Sequence, residues 1–568
     1  MNYYLLLLVI SSSLVFVTSS PRPEVCAPAG CVRGVVESGR LKPYEAFYGI
    51  PYAEPPIGEL RFKNPVSHSG WSGFWDASYY RNDCLQKNYY MPGTPSSGAE
   101  DCLHLNVYRP IDWVSKRRLP VFVWIHGGGY VSFSSSPDQV GPDYLMDNGE
   151  VILVTLNYRL GLFGFMCSGD GVVQGNFGLK DQQLAMEWVT RNIEDFGGDP
   201  CSVTLGGQSA GAESVNLHMM AEKSQPLFHR AVMSSGNALA SFAYPIDFEA
   251  QMRTAAKACG IQDWDTATTV ELADEFKSVP GQILVEAVDS LIAFVLVPPA
   301  PMRFCIEDDW EGAFLSEDPL TVWTEGRFVQ KPILTGVTSN EGGSFGILVA
   351  NGTLNQAYNE DIDHLLPIQL DFDPRWTCEV LKYYFGGIVS INVANEDDFF
   401  KLNSDRLAIF PLTDLVRKYI QYNDVHESPI FLYEFAYEGN YTFYKYITGF
   451  DEHKGVVHLD DLIYLFSMRP LFPLLEPGTL DGEMSDIYVG AMVHFIQTGK
   501  VKEWTSFRPC SLSTSKPFCD YQVFKKSPKD PNKILISTSN SIDEDMVKFW
   551  KMVDGIIDVK EPEPCPLN

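Results

Sequence analysis

The sequence predicts an α/β protein whose large, mostly parallel central sheet carries helices on both faces. Three observations predict this class: short apolar runs recur along the chain, a glycine or a turn follows each run, and helical stretches separate them. Strands that are buried on both faces appear as nearly continuous apolar runs, which is typical of parallel sheets. The clearest runs are residues 121–125, 151–156, 202–205, 230–234, 332–336 and 430–435.

Helical segments fill much of the chain between these strands. Residues 179–196 combine helix-forming composition with apolar spacing and predict a helix ahead of the strand at 202–205. Residues 246–328 and 360–425 are predicted to be helical excursions from the sheet. They could cap its carboxyl edge, where open α/β folds bind ligands. Neither a repeat nor a flexible linker interrupts the chain, so we expect residues 21–568 to form a single domain.

The amino terminus predicts export. The first twenty residues carry no charged side chain and are mostly apolar from residue 3 to residue 17. This run is short for a membrane span and suits a secretory signal peptide, residues 1–20, that is removed from the mature protein. An uncleaved amino-terminal anchor is the alternative. No later stretch reaches the length of a span, so we expect a secreted, extracellular protein with no membrane anchor.

Composition limits the partners. The 43 basic and 72 acidic residues give a formal charge of −29, whereas nucleic-acid binding normally requires a basic surface. A neutral or apolar small molecule is the better candidate. The sequence contains no Cys-x-x-Cys or His-Glu-x-x-His pattern, so we expect neither a metal site nor a cofactor. Sequons at Asn351 and Asn440 are compatible with surface glycans.

Twelve cysteines in an exported chain predict disulfides. Several pairings and free thiols are open at this point. Cys84 could pair with Cys102, and Cys510 with Cys519, whereas Cys26 and Cys31 are a weaker candidate pair. The candidates for buried free thiols are Cys167, Cys201 and Cys305.

Ser209 is the candidate nucleophile. It lies at the centre of Gly-Gln-Ser-Ala-Gly, residues 207–211, directly after the strand at 202–205 and ahead of a predicted helix. A serine on a tight strand-to-helix turn needs small neighbours, and the helix amino terminus favours developing negative charge. The pattern alone could be a glycine-rich turn, but its position after a buried strand favours a nucleophile.

A glycine run after another strand predicts an oxyanion hole. Gly127, Gly128 and Gly129 follow the strand at 121–125 and leave backbone N–H groups free to point at one oxygen. Tetrahedral intermediates of acyl transfer need such donors, each worth roughly 3 kcal/mol. The run alone would be only a turn. The order strand, glycine run, strand, serine turn makes the pair of motifs a strong signal.

The base and the acid follow from context. In such hydrolases the acid and then the histidine come after the serine. Glu341 directly follows the strand at 332–336, and His458 follows the strand at 430–435. Both residues would therefore lie on loops at the edge of the sheet that carries Ser209. Each could also be an ordinary loop residue, and other histidines after the serine are His218, His229, His364, His426, His453 and His494.

Together, these residues resemble the type-B carboxylesterase family, which includes cholinesterases and insect esterases. The similarity runs from about residue 32 to residue 499 and includes four further motifs, at residues 55–62, 100–106, 176–182 and 196–200. The resemblance implies an α/β-hydrolase fold with a Ser209–Glu341–His458 triad. It also implies an oxyanion hole formed by the backbone N–H groups of Gly128, Gly129 and Ala210, and a disulfide between Cys84 and Cys102.

Within the family, the sequence is most similar to insect juvenile hormone esterases. Gln208 stands where most members have Glu, and Gly455, His458 and Asp461 form a Gly-x-x-His-x-x-Asp run. The segment between Cys84 and Cys102 contains no Trp of the kind that binds quaternary ammonium in cholinesterases. The resemblance therefore implies hydrolysis of the juvenile hormone methyl ester through an acyl-enzyme. The alternatives are a broad detoxifying or odorant-degrading esterase and, more remotely, a catalytically silent adhesion protein.

The substrate pocket is expected to be deep and mostly apolar, matching a long neutral acyl chain with a small alcohol. Residues 291–304 are apolar and lie in the predicted cap. They could form a pocket wall that gains about 0.8 kcal/mol per buried methylene. Equally, they could be core packing.

Overall fold

The computed structural model describes residues 22–90, 94–113, 118–240, 247–295, 301–387, 390–424, 427–452, 454–501, 511–513, 516–518, 520–539 and 543–557. The predicted signal peptide, the pair Cys510 and Cys519, and residues 296–300 of the apolar cap segment lie outside the described residues.

The described strands are β1 (Glu24–Ala27), β2 (Gly30–Arg33), β3 (Val35–Ser38), β4 (Pro43–Pro51), β5 (Phe74–Asp76), β6 (His104–Pro110), β7 (Leu119–Ile125), β8 (Ile152–Leu156), β9 (Gly198–Gln208), β10 (Arg230–Ser234), β11 (Ile333–Thr338), β12 (Ile430–Ala436), β13 (Ser511–Ser513), β14 (Lys516–Phe518), β15 (Tyr521–Ser527) and β16 (Asp530–Ser539).

The described α-helices are α1 (Asp143–Asn148), α2 (Gly161–Phe165), α3 (Phe177–Asn192), α4 (Ala210–His218), α5 (Phe248–Ala258), α6 (Thr269–Ser278), α7 (Gly281–Ala287), α8 (Pro319–Thr324), α9 (Ile347–Ala350), α10 (Gly352–Glu360), α11 (Ile362–Leu370), α12 (Thr377–Phe385), α13 (Glu396–Ser404), α14 (Phe410–Tyr422), α15 (Tyr444–Thr448), α16 (Leu480–Thr498) and α17 (Glu544–Val553).

Eleven of these strands form the central sheet, in the order β16-β15-β12-β11-β10-β9-β7-β8-β6-β4-β3. The pairs from β15 through β12, β11, β10, β9 and β7 to β8 are parallel, and the pairs at both margins are antiparallel. The six predicted strands all lie in the parallel part, and the predicted α/β class is confirmed. The strand predicted at 202–205 is longer than expected, because pairing with β10 continues as far as Gln208.

Side chains of the central strands alternate between two cores, one on each face of the sheet. Val121, Val123 and Ile125 of β7 join the core that contains α3 and α4. Phe122 and Trp124 join the core that contains α1 and α16. Because both faces are covered, successive residues of a strand can all be apolar without exposure, which explains the continuous apolar runs.

The two helical excursions differ in how they pack. The first, with α5, α6, α7 and α8, contributes side chains to the core on the α3 face. The second, from α9 to α13, forms a third core of its own together with α17 near the carboxyl terminus. Both contribute residues to one cavity at the carboxyl edge of the sheet. The expectation of helical excursions at this edge therefore agrees with the structure.

Parallel pairing brings the ends of four strands to one edge. Gln208 at the end of β9 pairs with Ser234 of β10, and Ser234 pairs with Gly336 of β11. Thr338 pairs with Phe435 of β12. Residues that follow these strands consequently lie near each other, although they are far apart in the sequence.

Cysteines form disulfides between Cys84 and Cys102 and between Cys26 and Cys31. Cys167 and Cys305 are buried free thiols, as predicted. Cys201 is exposed, so the prediction of a buried thiol is wrong at this position. The reason is that Cys201 lies near the start of β9, ahead of the residues that pair with β10. Within the described ranges, none of the helices combines the length and apolar character that crossing a bilayer requires.

Candidate active site

Ser209 occupies a strained turn between β9 and α4. Its φ of 57° and ψ of −127° are rare for a residue with a side chain. The turn is tight because Gly207 and Gly211 pack backbone to backbone: a Cβ at Gly207 would lie 2.4 Å from the carbonyl carbon of Gly211. A Cβ at Gly211 would in turn lie 2.2 Å from the carbonyl oxygen of Ile125. Both glycines are therefore required for Ser209 to project from the sheet edge.

The glycine run approaches this turn closely. A Cβ at Gly127 would lie 2.6 Å from the carbonyl oxygen of Gln208 and 3.1 Å from Cβ of Ser209. Gly128 and Gly129 have φ values of 98° and 59°, in the left-handed region that glycine adopts without strain. The loop can thus place its backbone beside Ser209.

Two of the three candidate oxyanion donors line the same cavity as Ser209, namely Gly129 and Ala210. Ala210 is the first residue of α4, where the N–H has no partner within the helix. Gly128 precedes them, and its carbonyl accepts hydrogen bonds from the N–H groups of Val131 and Ser132 at 3.0 Å. Gly129 and Ala210 therefore place main chain on the cavity wall that Ser209 also lines.

Glu341 and His458 are in direct contact. Nδ1 of His458 lies 2.6 Å from Oε2 of Glu341, where it donates a hydrogen bond to the carboxylate. The loops that carry them are also joined, because the N–H of Asn340 donates to the carbonyl of Val456 at 2.9 Å. Glu341, His458 and Ser209 all line one cavity.

The two partners shift each other's pKa. Burial alone would raise the pKa of Glu341, but the charge of His458 and three hydrogen bonds outweigh it and hold that pKa below its usual range. Burial alone would lower the pKa of His458, but the Glu341 carboxylate outweighs it and raises that pKa above 6.5. The arrangement therefore favours the ion pair of imidazolium and carboxylate.

Ser235 is a site residue that the sequence analysis missed. Its hydroxyl donates a 2.6 Å hydrogen bond to Oε1 of Glu341, while the N–H of Thr338 donates to the same oxygen at 2.7 Å. Because His458 contacts Oε2, both carboxylate oxygens of Glu341 have hydrogen-bond partners. The available signal was the position of Ser235 directly after β10, at the edge that carries Ser209.

Asp460 and Asp461 follow His458 and hold its surroundings. Asp460 accepts hydrogen bonds from the N–H groups of Phe443 and Val457, at 2.7 and 2.9 Å. Asp461 accepts hydrogen bonds from two tyrosine hydroxyls. The imidazole itself contacts Glu341, so the geometry favours Glu341 as the acid.

His458 does not contact Ser209 through a hydrogen bond in the described structure. Its Nε2 lies 3.0 Å from Nε2 of Gln208 instead. The Gln208 side chain is fully buried, and its Oε1 has no hydrogen-bond partner among the described residues. Hydrogen bonds at catalytic sites are often loose without substrate and tighten when it binds.

The cavity has a volume of about 170 Å³ and a lining that is mostly apolar. Apolar lining comes from Phe345, Leu407 and Ile447, among others, but a carboxyl at Glu213 and a guanidinium at Arg303 also face it. The lining is therefore mostly apolar, as predicted, with a few polar groups among the apolar ones. Polar contributors besides the triad candidates are Tyr90, Tyr130, Asn237, Ser344, Gln369 and Asn403.

The described part of residues 291–304 divides between core and cavity. Met302 and Phe304 are buried in the main core, whereas Arg303 between them lines the cavity. Of the two alternatives left open for this segment, Met302 and Phe304 are therefore core packing, and the residue here that reaches the cavity is the charged Arg303. Within the described ranges, no group of three or more potential metal ligands comes together.

The fold and the site define the class of protein, an α/β hydrolase. The model of the carboxylesterase family matches residues 21–550. The chain therefore belongs to the carboxylesterase family and is a carboxylic ester hydrolase.

Two relatives and one solved structure show which members of the family this chain is similar to. The chain is 34% identical over 565 residues to the juvenile hormone esterase of Tribolium castaneum, covering 93% of both chains. It is 30% identical over 526 residues to Esterase E4 of Myzus persicae, covering 88% of this chain and 91% of the relative. Among solved structures, it is similar to juvenile hormone esterase from Manduca sexta with OTFP covalently attached. The TM-score is 0.81 at 26% identity, and the match covers 94% of this chain and all of that one.

Proposed function

We propose that this protein is a secreted serine esterase that hydrolyses the methyl ester of juvenile hormone through a Ser209–His458–Glu341 mechanism. The observation that carries the catalytic proposal is the 2.6 Å contact between His458 and Glu341 on the cavity that Ser209 also lines. A nucleophile, a base and an orienting acid around one cavity are what acyl transfer requires.

In the first half of the reaction, Oγ of Ser209 attacks the ester carbonyl carbon and its proton passes to Nε2 of His458. The developing oxyanion is stabilised by backbone N–H groups, for which Gly128, Gly129 and Ala210 are the proposed donors. The carbon–oxygen bond to the alcohol then breaks, and His458 returns the proton to the departing alkoxide. Ser209 is left acylated.

In the second half, water replaces the alcohol. His458 takes a proton from the water as it attacks the acyl carbon, and the bond to Ser209 breaks as the proton returns to Oγ. Glu341 holds the imidazole in the tautomer with the proton on Nδ1 and stabilises the imidazolium in both halves. The products are the carboxylic acid and the alcohol.

Secretion and glycosylation are part of the proposal. They rest on the uncharged apolar amino terminus and on the two sequons. Asn351 is the N-cap of α10, and its side chain accepts a hydrogen bond from the N–H of Leu354 at 3.1 Å. Asn440 is exposed and its amide donates to Asp481 at 2.7 Å. Expression with and without residues 1–20, followed by glycosidase treatment, tests both points.

The hormone assignment is supported by the juvenile hormone esterases among the relatives and by Gln208 in the serine motif. A broad-specificity esterase is the second candidate. It is favoured by the comparable identity to Esterase E4 and by the polar groups in the cavity. The two candidates share the chemistry and differ in the substrate.

Substrate competition tests the assignment. We would measure kcat/KM for juvenile hormone, for a saturated methyl ester of similar length and for an aryl acetate. The proposal predicts the highest value for the hormone. A preference of tenfold or more for the acetate would contradict it and favour the broad esterase.

A further inference from the structure

Glu213 shares the wall of the cavity with the proposed nucleophile. It lies one helical turn beyond Ser209 on α4, and its N–H donates to the carbonyl of Ser209 at 2.9 Å. Side chains four residues apart on a helix lie on the same face. A group bound to the Glu213 carboxyl would therefore lie only a few atoms from an ester carbonyl positioned at Ser209.

The carboxyl of Glu213 faces a second polar group. The hydroxyl of Tyr130 is buried beside it and has no hydrogen-bond partner of ordinary geometry among the described residues. Tyr130 also lines the cavity and directly follows the glycine run. Buried polar groups are normally paired, so the buried Tyr130 hydroxyl beside the half-buried Glu213 carboxyl calls for a polar partner that enters the cavity.

Three charged or titratable groups from the described residues act on this carboxyl. Tyr130 comes from the glycine loop, Tyr158 from the segment after β8, and Arg303 from the cap. Arg303 also forms an ion pair with Asp371 at 3.3 Å. Burial raises the pKa of Glu213 to about 8, against the lowering effects of Arg303 and Tyr130. At neutral pH the group is therefore mostly an uncharged acid, with both a donor and an acceptor.

We propose that Glu213 is a specificity-determining residue that forms a hydrogen bond with an oxygen atom of the substrate, placed a few atoms from the ester carbonyl. The preferred substrates are then neutral esters that carry a hydroxyl, ether or carbonyl oxygen, rather than plain hydrocarbon esters. A cationic substrate fits poorly because the Arg303 guanidinium lies on the same wall. The inference rests on the proposed esterase function of Ser209 and adds the class of substrate.

The test compares matched esters. Methyl hexanoate is the plain substrate, and its partners carry a single hydroxyl or methoxy group at carbon 3, 4 or 5. For each variant we would measure the ratio of kcat/KM for each oxygenated ester to that for methyl hexanoate. This ratio does not depend on the fraction of active enzyme, so a variant that folds in reduced yield is still informative.

We expect the wild type to prefer at least one oxygenated ester by tenfold or more. Glu213→Leu should reduce that ratio to within twofold of unity, because it removes both the donor and the acceptor. Glu213→Gln should keep most of the preference, since the amide has nearly the same shape and retains both functions. In the wild type the preference should change between pH 6.5 and 9.5 as the carboxyl ionises, whereas in Glu213→Gln it should stay constant.

Several results would overturn the inference. They are a wild type without preference for any oxygenated ester, a Glu213→Leu variant that keeps the preference, and a pH-independent wild-type ratio. A choline ester that is hydrolysed faster than its neutral 3,3-dimethylbutyl counterpart would show that the carboxyl recognises a cation instead. If the wild type hydrolyses no ester in the set, the proposed esterase function itself fails, which separates the two outcomes.

Discussion

The side-chain nitrogen of Gln208 lies 3.0 Å from Nε2 of His458, the ring atom that we propose accepts the proton of Ser209. With the Nδ1 proton directed at Glu341, Nε2 is an acceptor and the amide of Gln208 donates to it. The residue before the nucleophile therefore contacts the base directly, while Glu341 on the other side of the ring raises the pKa of His458. Rotation of the amide would present its unpartnered oxygen to the imidazolium formed during catalysis.

This contact predicts that Gln208 sets the acidic limit of activity. His458 must be neutral to act as a base, and its pKa is raised above 6.5, so kcat/KM should fall as pH drops through that raised value. Gln208→Glu adds a carboxylate at Nε2 and should move this limit upward by about one pH unit or more. Gln183→Glu on α3, where the side chain contacts Glu187, is the matched control. A limit that is the same in wild type and Gln208→Glu would contradict the role.

Glu341→Gln should reduce kcat by about 10⁴-fold with little change in KM, because a neutral amide cannot stabilise the imidazolium. The acidic limit of any residual activity should move downward, since the group that raises the pKa of His458 is lost. Glu434→Gln on β12 removes a half-buried carboxyl outside the cavity lining and serves as control. A loss below tenfold in Glu341→Gln would move the acid to Asp460 or Asp461.

Ser235→Ala should lower kcat by roughly tenfold, since a hydrogen bond to a charged group contributes about 1.5–3 kcal/mol and positioning uses part of it. Steady-state kinetics should show KM nearly unchanged, because Ser235 contacts Glu341. Ser234→Ala is the matched control, because that hydroxyl bonds to Tyr433 and not to Glu341. Equal effects of the two variants on kcat would mean that Ser235 acts only through stability.

Gly127→Ala should abolish most activity and lower the unfolding free energy by about 1–3 kcal/mol, a typical cost of overpacking. The added Cβ would lie 2.6 Å from the carbonyl oxygen of Gln208 and would push the glycine loop away from Ser209. Thermal unfolding and kcat/KM measure the two effects. Gly490→Ala in α16, where the added Cβ would meet no described atom within 4 Å outside its own helix backbone and adjacent residues, should stabilise the protein and leave activity unchanged. Full activity in Gly127→Ala would show that the loop does not need its close approach.

The sequence predicted the sheet and the placement of the main site residues because both follow from local patterns. Apolar runs mark strands that are buried on both faces, and parallel pairing brings their carboxyl ends to one edge. Ser209, Glu341 and His458 follow such strands, and the structure brings all three to one cavity.

The remaining site residues could not be predicted in this way. The contact of Gln208 with His458 depends on side-chain rotamers of residues 250 positions apart. Tyr130 and Arg303 lie beside Glu213 only because the glycine loop, the cap and α4 pack together. The sequence did not indicate that Arg303 lines the cavity, because its neighbours Met302 and Phe304 are apolar and pack in the core.

Rapid-quench mass spectrometry during turnover of an aryl ester tests the central claim, the role of Ser209 as nucleophile, most directly. The wild type should accumulate one acyl group on the peptide that contains Ser209, and Ser209→Ala should show no adduct while unfolding at a similar temperature. An acyl group on any other residue of the wild type, or an adduct that persists in Ser209→Ala, would contradict the account.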